Sequence, residues 1–102
     1  MVVAEFSIFP LDKGDSLSTY VAESLAIIDA SGLDYRCHAM GTDLEGEFDQ
    51  VIGVVRQCFE QMARQCDRIE CTLKLDYRKG RRGRLESKVT SVERKLGRPV
   101  RK

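Results

Sequence analysis

Residues 41 to 47 read Gly41-Thr42-Asp43-Leu44-Glu45-Gly46-Glu47. They set a hydroxyl and carboxylates between glycines, at a tight connection that follows one alternating apolar run and leads into another element. A hydroxyl beside a carboxylate can hold an amino group or a cation, and glycine lets a partner approach the backbone closely. The same residues also make an ordinary polar hairpin, with Gly41 and Gly46 present only to form the turn. Acid–base chemistry by Glu45 with Glu47 has little to support it. The two lie on one strand face, two residues apart, and nothing nearby poses a substrate.

Other reactive chemistry is scarce. The four cysteines are Cys37, Cys58, Cys66 and Cys71, none in a C-x-x-C pair, and His38 is the single histidine. A metal site would need scattered ligands, so none is expected. Cys58, Cys66 and Cys71 fall on faces expected to be buried, as reduced small hydrophobes. Cys37 and His38 are neighbours on a strand, so they point to opposite faces and make a poor nucleophile–base pair. Gly80 to Gly83 lacks the spacing of a phosphate-binding loop. No catalytic residue and no cofactor are expected, and the chain reads as a non-enzyme.

A length of 102 residues fits one domain, placed here at residues 1–97 with a basic tail at 98–102. Apolar residues make up 42% and charged residues 32%, the balance of a globular protein with a real core. No apolar run approaches the roughly 20 residues that span a bilayer. Met1 to Pro10 lacks a basic leader and contains Glu5, unlike a signal peptide, so a cytoplasmic location is expected. Charge is uneven. Residues 1–77 hold six Lys/Arg against fourteen Asp/Glu, and residues 78–102 hold eleven against two.

The elements that must position these groups follow from periodicity. Val2 to Phe9 alternates, with Ala4, Phe6 and Ile8 on one face and Val3, Glu5, Ser7 and Phe9 on the other; Pro10 ends it. A helix starts near Asp15 or Ser16, either of which suits a cap, and carries Leu17, Val21, Leu25 and Ile28 to a stop at Gly32. Asp34 to Met40 and Thr42 to Phe48 read as strands. Asp49 caps a second helix with Val51, Val55, Cys58, Phe59, Met62 and Cys66 on its apolar side. Arg68 to Arg78 is the cleanest strand, with Ile69, Cys71, Leu73, Leu75 and Tyr77 alternating with Glu70, Thr72, Lys74 and Asp76. A basic loop from Lys79 to Arg84 leads to a last stripe of Leu85, Val89, Val92 and Leu96, closed by Gly97 and Pro99. The order β-α-β-β-α-β plus a C-terminal helix predicts an α+β, ferredoxin-like fold: a four-stranded antiparallel sheet with two helices on one face. The other face is unusually ionic. It is either solvated or covered by a second subunit or a polar ligand, and the edge of the fourth strand invites β-augmentation.

Over residues 2 to 96 the chain resembles the thiamine-binding protein family, also described as UPF0045. The likeness rests on Ala4-Glu5-Phe6-Ser7-Ile8-Phe9-Pro10, Ser16-Leu17-Ser18-Thr19-Tyr20-Val21, Ser31-Gly32-Leu33-Asp34-Tyr35, Met40 to Glu47, Thr72-Leu73-Lys74-Leu75-Asp76-Tyr77-Arg78 and Lys88-Val89-Thr90-Ser91-Val92, in that order and spacing. The resemblance implies a ferredoxin-like fold assembled as a homo-oligomer, typically a homotetramer built as a dimer of dimers. It also implies non-catalytic binding of thiamine or its hydroxymethylpyrimidine part, as a carrier, buffer or sensor. Such a ligand needs a carboxylate, hydroxyl or backbone partners and an apolar wall. Thr42 and Glu45 supply the first two on this reading. Gly41 gives close approach, Ser7, Ser16, Ser18 and Tyr20 are further partners, and Met40 or Phe9 is the wall.

Each of these has a plainer role. Ser16 suits a helix cap, Tyr20 a core position with its hydroxyl at the rim, and Glu45 a pair with a cation on a neighbouring strand. Asp76 and Arg78 read better as an ion pair or interface contact. Two other functions compete: a regulatory or structural oligomer that responds to another small anionic metabolite, and nucleic-acid binding through the basic loop. The second is disfavoured, because the sheet shows no RNP-like pattern and few aromatics for base stacking.

Overall fold

The computed structural model describes residues 1–80 and 83–101; Arg81 and Arg82 of the basic loop and Lys102 of the tail lie outside the described residues. The elements are β1 (Val2–Pro10), α1 (Ser18–Ala30), β2 (Asp34–His38), β3 (Gly41–Gly46), α2 (Phe48–Ala63), β4 (Ile69–Tyr77) and α3 (Arg84–Leu96). The strands form one antiparallel sheet in the order β2-β3-β1-β4. This is the expected α+β arrangement. No helix among the described residues is long and apolar enough to cross a membrane.

Alternation in β1 decides the layers. Val2, Ala4, Phe6 and Ile8 are buried, and they meet Leu44 of β3, Ile28 of α1, and Val51, Val54, Cys58 and Met62 of α2. The helices approach closely at Ser24, whose carbonyl accepts the Cys58 thiol at 3.6 Å. Burial pushes that thiol up to about 11, so it stays protonated and behaves as a small apolar group.

Helix starts differ from expectation. α1 begins at Ser18 with Leu17 as its N-cap and no side-chain cap, so neither Asp15 nor Ser16 serves. Its inward face consequently runs through Tyr20, Ser24, Ile27 and Ile28, and Val21 turns outward. In α2 the N-cap is Glu47 rather than Asp49; the Gln50 side-chain oxygen accepts the Glu47 N–H at 3.0 Å, which closes a capping box. β3 therefore stops at Gly46, short of Phe48. Segment 41–47 is mostly strand, and the tight turn falls at Ala39 and Met40, which cuts β2 back to His38. Cys71, expected inside, is exposed, because β4 is an edge strand whose far end the helices do not cover.

α3 lies on the opposite face of the sheet from α1 and α2, fastened to Glu45 and Asp76. Gly83 before it and Gly97 after it both adopt left-handed backbone, where glycine carries no Cβ penalty. Leu85 and Val89 are half-buried against the sheet, whereas Val92 and Leu96 stand exposed.

Candidate functional site

β1 is longer than its inner neighbour. It pairs with β4 from Val2 to Pro10 but with β3 only from Val2 to Phe6. Beyond Phe6 the place of β3 is taken by the β2–β3 turn and the first turns of α1. The gap is a cavity of about 300 Å³, lined by Ser7, Phe9, Leu17, Val21, Cys37, His38 and Met40 to Thr42, among others. Its walls are mostly apolar. The Ser7 and Thr42 hydroxyls have no protein hydrogen-bond partner among the described residues, although Thr42 is only 6% exposed. Gly41 packs against the β1 backbone: a Cβ there would lie 2.8 Å from the Phe6 carbonyl oxygen. The turn reaches β1 this closely only because residue 41 is glycine.

The opposite face is a lattice of matched charges. Arg36, Asp43, Glu5 and Lys74 stand side by side across all four strands. His38 Nε2 lies 3.1 Å from Asp43 and 3.9 Å from Glu5, and the Met40 N–H donates to His38 Nδ1 at 3.3 Å. With Nδ1 as acceptor, the neutral ring carries its proton on Nε2 and donates it to Asp43. The ligating atoms of Glu5, His38 and Asp43 lie within 4.8 Å of one another, near enough to share a metal ion. A metal on Nε2 would displace that proton and cost the Met40 contact, so the trio fits a hydrogen-bonded pair better than a metal site.

α3 locks onto this face. Glu45 is buried and accepts the Arg84 N–H at 2.9 Å, at the helix N-terminus where negative charge is favoured. Asp76 is held by Lys88 and Arg84, and the Lys88 hydrogen bond above all keeps its carboxyl below the usual range. Arg36 and Glu86 add an exposed pair at 3.2 Å. Clefts of about 830 and 470 Å³ flank the helix, and most of the charged groups lining them are already engaged within the chain.

A profile of the family described as "Thiamine-binding protein" matches residues 4–93. The chain belongs to the thiamine-binding protein family. UPF0045 protein MJ1052 of Methanocaldococcus jannaschii is 35% identical over 91 residues, covering 89% of this chain and 91% of that one. UPF0045 protein Mb1933 of Mycobacterium bovis is 34% identical over 99 residues, covering 96% and 97%. The crystal structure of MJ1052 superposes with a TM-score of 0.84 over 89% of this chain and 94% of its own. A Thermotoga maritima protein named for a candidate role in thiamine biosynthesis or salvage shares the fold, with a TM-score of 0.79 at 22% identity over 89% and 97%.

Within this family member, the residues singled out from sequence divide between two places. Ser7, Met40, Gly41 and Thr42 line the cavity, and Phe9 joins them as wall. Glu45 does not. It stands three residues beyond Thr42 on β3 and so faces the other side of the sheet, under α3. Its partner is a backbone N–H, not the neighbouring-strand cation anticipated. Ser18 is exposed at the start of α1 and Tyr20 packs at the core edge; neither lines the cavity. Leu17 and Val21, assigned to the core, line the cavity instead. The start of α1 one or two residues later than expected accompanies all four placements.

Proposed function

We propose that this protein binds thiamine, or its hydroxymethylpyrimidine moiety, in the cavity at the end of β1, without catalysing a reaction on it. As a cytoplasmic homo-oligomer it would act as a carrier, buffer or sensor. The observation that carries the reading is the pair of hydroxyls without protein partners, Ser7 and Thr42, bordering a mostly apolar hollow. A hydroxyl that is largely screened from solvent and has no protein partner is free to meet a ligand that supplies donors and acceptors along one edge. An aminopyrimidine has such an edge. The volume is at the small end of ordinary ligand sites, which suits one ring better than a nucleotide. Met40, largely exposed, lines the cavity and offers an adaptable apolar surface. Membership of the thiamine-binding family supports the choice of ligand.

Thermal unfolding against a panel of thiamine, its mono- and diphosphate, hydroxymethylpyrimidine and sulfate tests this. A ligand specific to the folded state stabilises it by about 2.7 kcal/mol at 100 times Kd. A rise in Tm with thiamine or the pyrimidine, and none with sulfate, is expected. A response confined to sulfate and the phosphate esters would replace this reading with an anionic effector, and no response to any of them would discard it.

A further inference from the structure

The two edges of the sheet are not alike. β2 is five residues long, whereas β4 is nine. β4 pairs with β1 in unbroken register, contains no proline or glycine, and has no strand on its outer side among the described residues. Long, regular, uncovered edges template further pairing, and proteins ordinarily blunt them with proline, bulges or short strands. β4 has none of these three, and the charges that can also blunt an edge, Glu70, Lys74 and Asp76, alternate in sign along it.

The order of charges along β4 identifies what pairs with it. Two copies related by a two-fold axis perpendicular to the sheet would run antiparallel, and each register is named by the residue that meets itself. Centred on Thr72, Glu70 faces Lys74 of the second copy and Arg68 faces Asp76, each twice by symmetry. On the helix side the same register sets Ile69 against Leu75 and Cys71 against Leu73, giving the partly exposed Leu75 an apolar neighbour. Other registers fail on the polar face. Centred on Leu73, Glu70 meets Asp76 and Arg68 meets Arg78. Centred on Cys71, Arg68 meets Lys74. Centred on Glu70 or Lys74, a charge meets itself. Centred on Leu75, Lys74 meets Asp76, but only Leu73 to Tyr77 engage. Like charges directly opposite destabilise a strand pair and opposite charges stabilise it.

We propose that β4 is a self-association edge, pairing with β4 of a second copy about Thr72 to give a continuous eight-stranded sheet. This goes beyond the ligand reading and gives the proposed homo-oligomer its contact, so it rests on the chain being an oligomer.

Sedimentation of the full chain and its charge variants tests it. Wild type should sediment as a dimer or larger at micromolar concentration. Glu70→Lys or Lys74→Glu alone should weaken association by about tenfold or more, and the double exchange should restore it. Circular dichroism checks that each variant is folded. A monomeric wild type overturns the oligomer and this contact together. An assembled wild type whose single reversals change nothing, or whose double exchange rescues nothing, overturns the β4 contact alone. Cross-linking fixes the register. With Cys37 and Cys71 changed to Ser, Thr72→Cys should give a disulfide-linked dimer under mild oxidation and Lys74→Cys should not; equal linking from both would overturn the register. Thiamine-induced shifts in the same variants report on the cavity separately.

Discussion

The two faces of the sheet put similar polar residues to opposite use. Beneath α3, Glu45, Asp76, Arg84 and Lys88 are joined to one another, and the charges fasten a helix whose own apolar contacts are few. At the end of β1, Thr42 on the α1 side and Ser7 on the other side of the sheet have no protein partners and border a mostly apolar hollow. A polar group already satisfied by its own chain contributes to the fold. One left unsatisfied in a hollow costs stability until something else satisfies it. The first region therefore reads as structure, although it holds far more charge and its buried Arg84 Nε has no partner among the described residues, and the second as a site.

Gly41→Ala should break this contrast most strongly, because it damages the site through the backbone. The new Cβ would meet the Phe6 carbonyl oxygen at 2.8 Å, and a backbone atom cannot step aside as a flexible side chain can. About 1–3 kcal/mol of stability should be lost, along with the thiamine response, as read by thermal melts with and without ligand. Glu45→Ala should damage the other region alone. It leaves the Arg84 N–H without its acceptor at a buried helix start, a loss of about 1–3 kcal/mol in urea titration. Thiamine affinity by calorimetry should not change. A clear weakening would return Glu45 to the binding site.

Those two substitutions also mark where the sequence was readable. The alternation in β1 and β4 fixes faces directly, so the sheet, its two-helix layer and the order of elements could be read in advance. Parity along β3 carried the same information about the site: residues 42 and 45 differ by an odd number, which places them on opposite faces of any regular strand. Grouping Thr42 with Glu45 at one glycine-flanked connection overlooks that parity, although Thr42 to Phe48 reads as a strand. Helix starts were less legible. Asp15, Ser16 and Asp49 are all chemically good caps, but the chain enters each helix elsewhere, because packing of Ser24 and Ile28 in α1 and the Glu47–Gln50 box in α2 set the phase. The cavity itself was not legible, since it arises from β1 outlasting β3, a difference between non-local pairings.

Thr42→Val sharpens the contrast with a change of sign. Valine keeps the shape and removes only the hydroxyl. In the ligand-free protein that hydroxyl has no protein partner and the residue is only 6% exposed, so its loss should cost no stability and should raise it by up to about 1 kcal/mol. In the complex the same change removes a hydrogen bond and should weaken thiamine binding about tenfold. A variant both more stable and a poorer binder is the signature of a site. A variant less stable than wild type would show that Thr42 bonds within the chain, and the cavity would lose its strongest polar group.

The smallest effect belongs to acid. Asp76 lies below its ordinary value of 3.8 because Lys88 hydrogen-bonds it and the Arg84 guanidinium stands beside it. Asp12 is also depressed, chiefly because its carboxylate accepts the Asp67 N–H, at 2.7 Å. Each carboxyl binds fewer protons folded than unfolded, so its contribution is complete above the unfolded value and is lost as pH falls through the folded one. Asp76→Asn should flatten that acid limb in melts between about pH 2 and pH 6, while leaving the share due to Asp12. Both groups are well solvated, so the change should be slight and should shrink further in high salt. The α3 clasp should thus respond to acid and salt, whereas the Ser7–Thr42 hollow, which Asp76 does not line, should keep its thiamine affinity through the protonation of Asp76 wherever the fold persists. If affinity instead fell with the protonation of Asp76, the two faces of the sheet would be coupled, and the division between a region that holds the fold and a region that holds the ligand would fail.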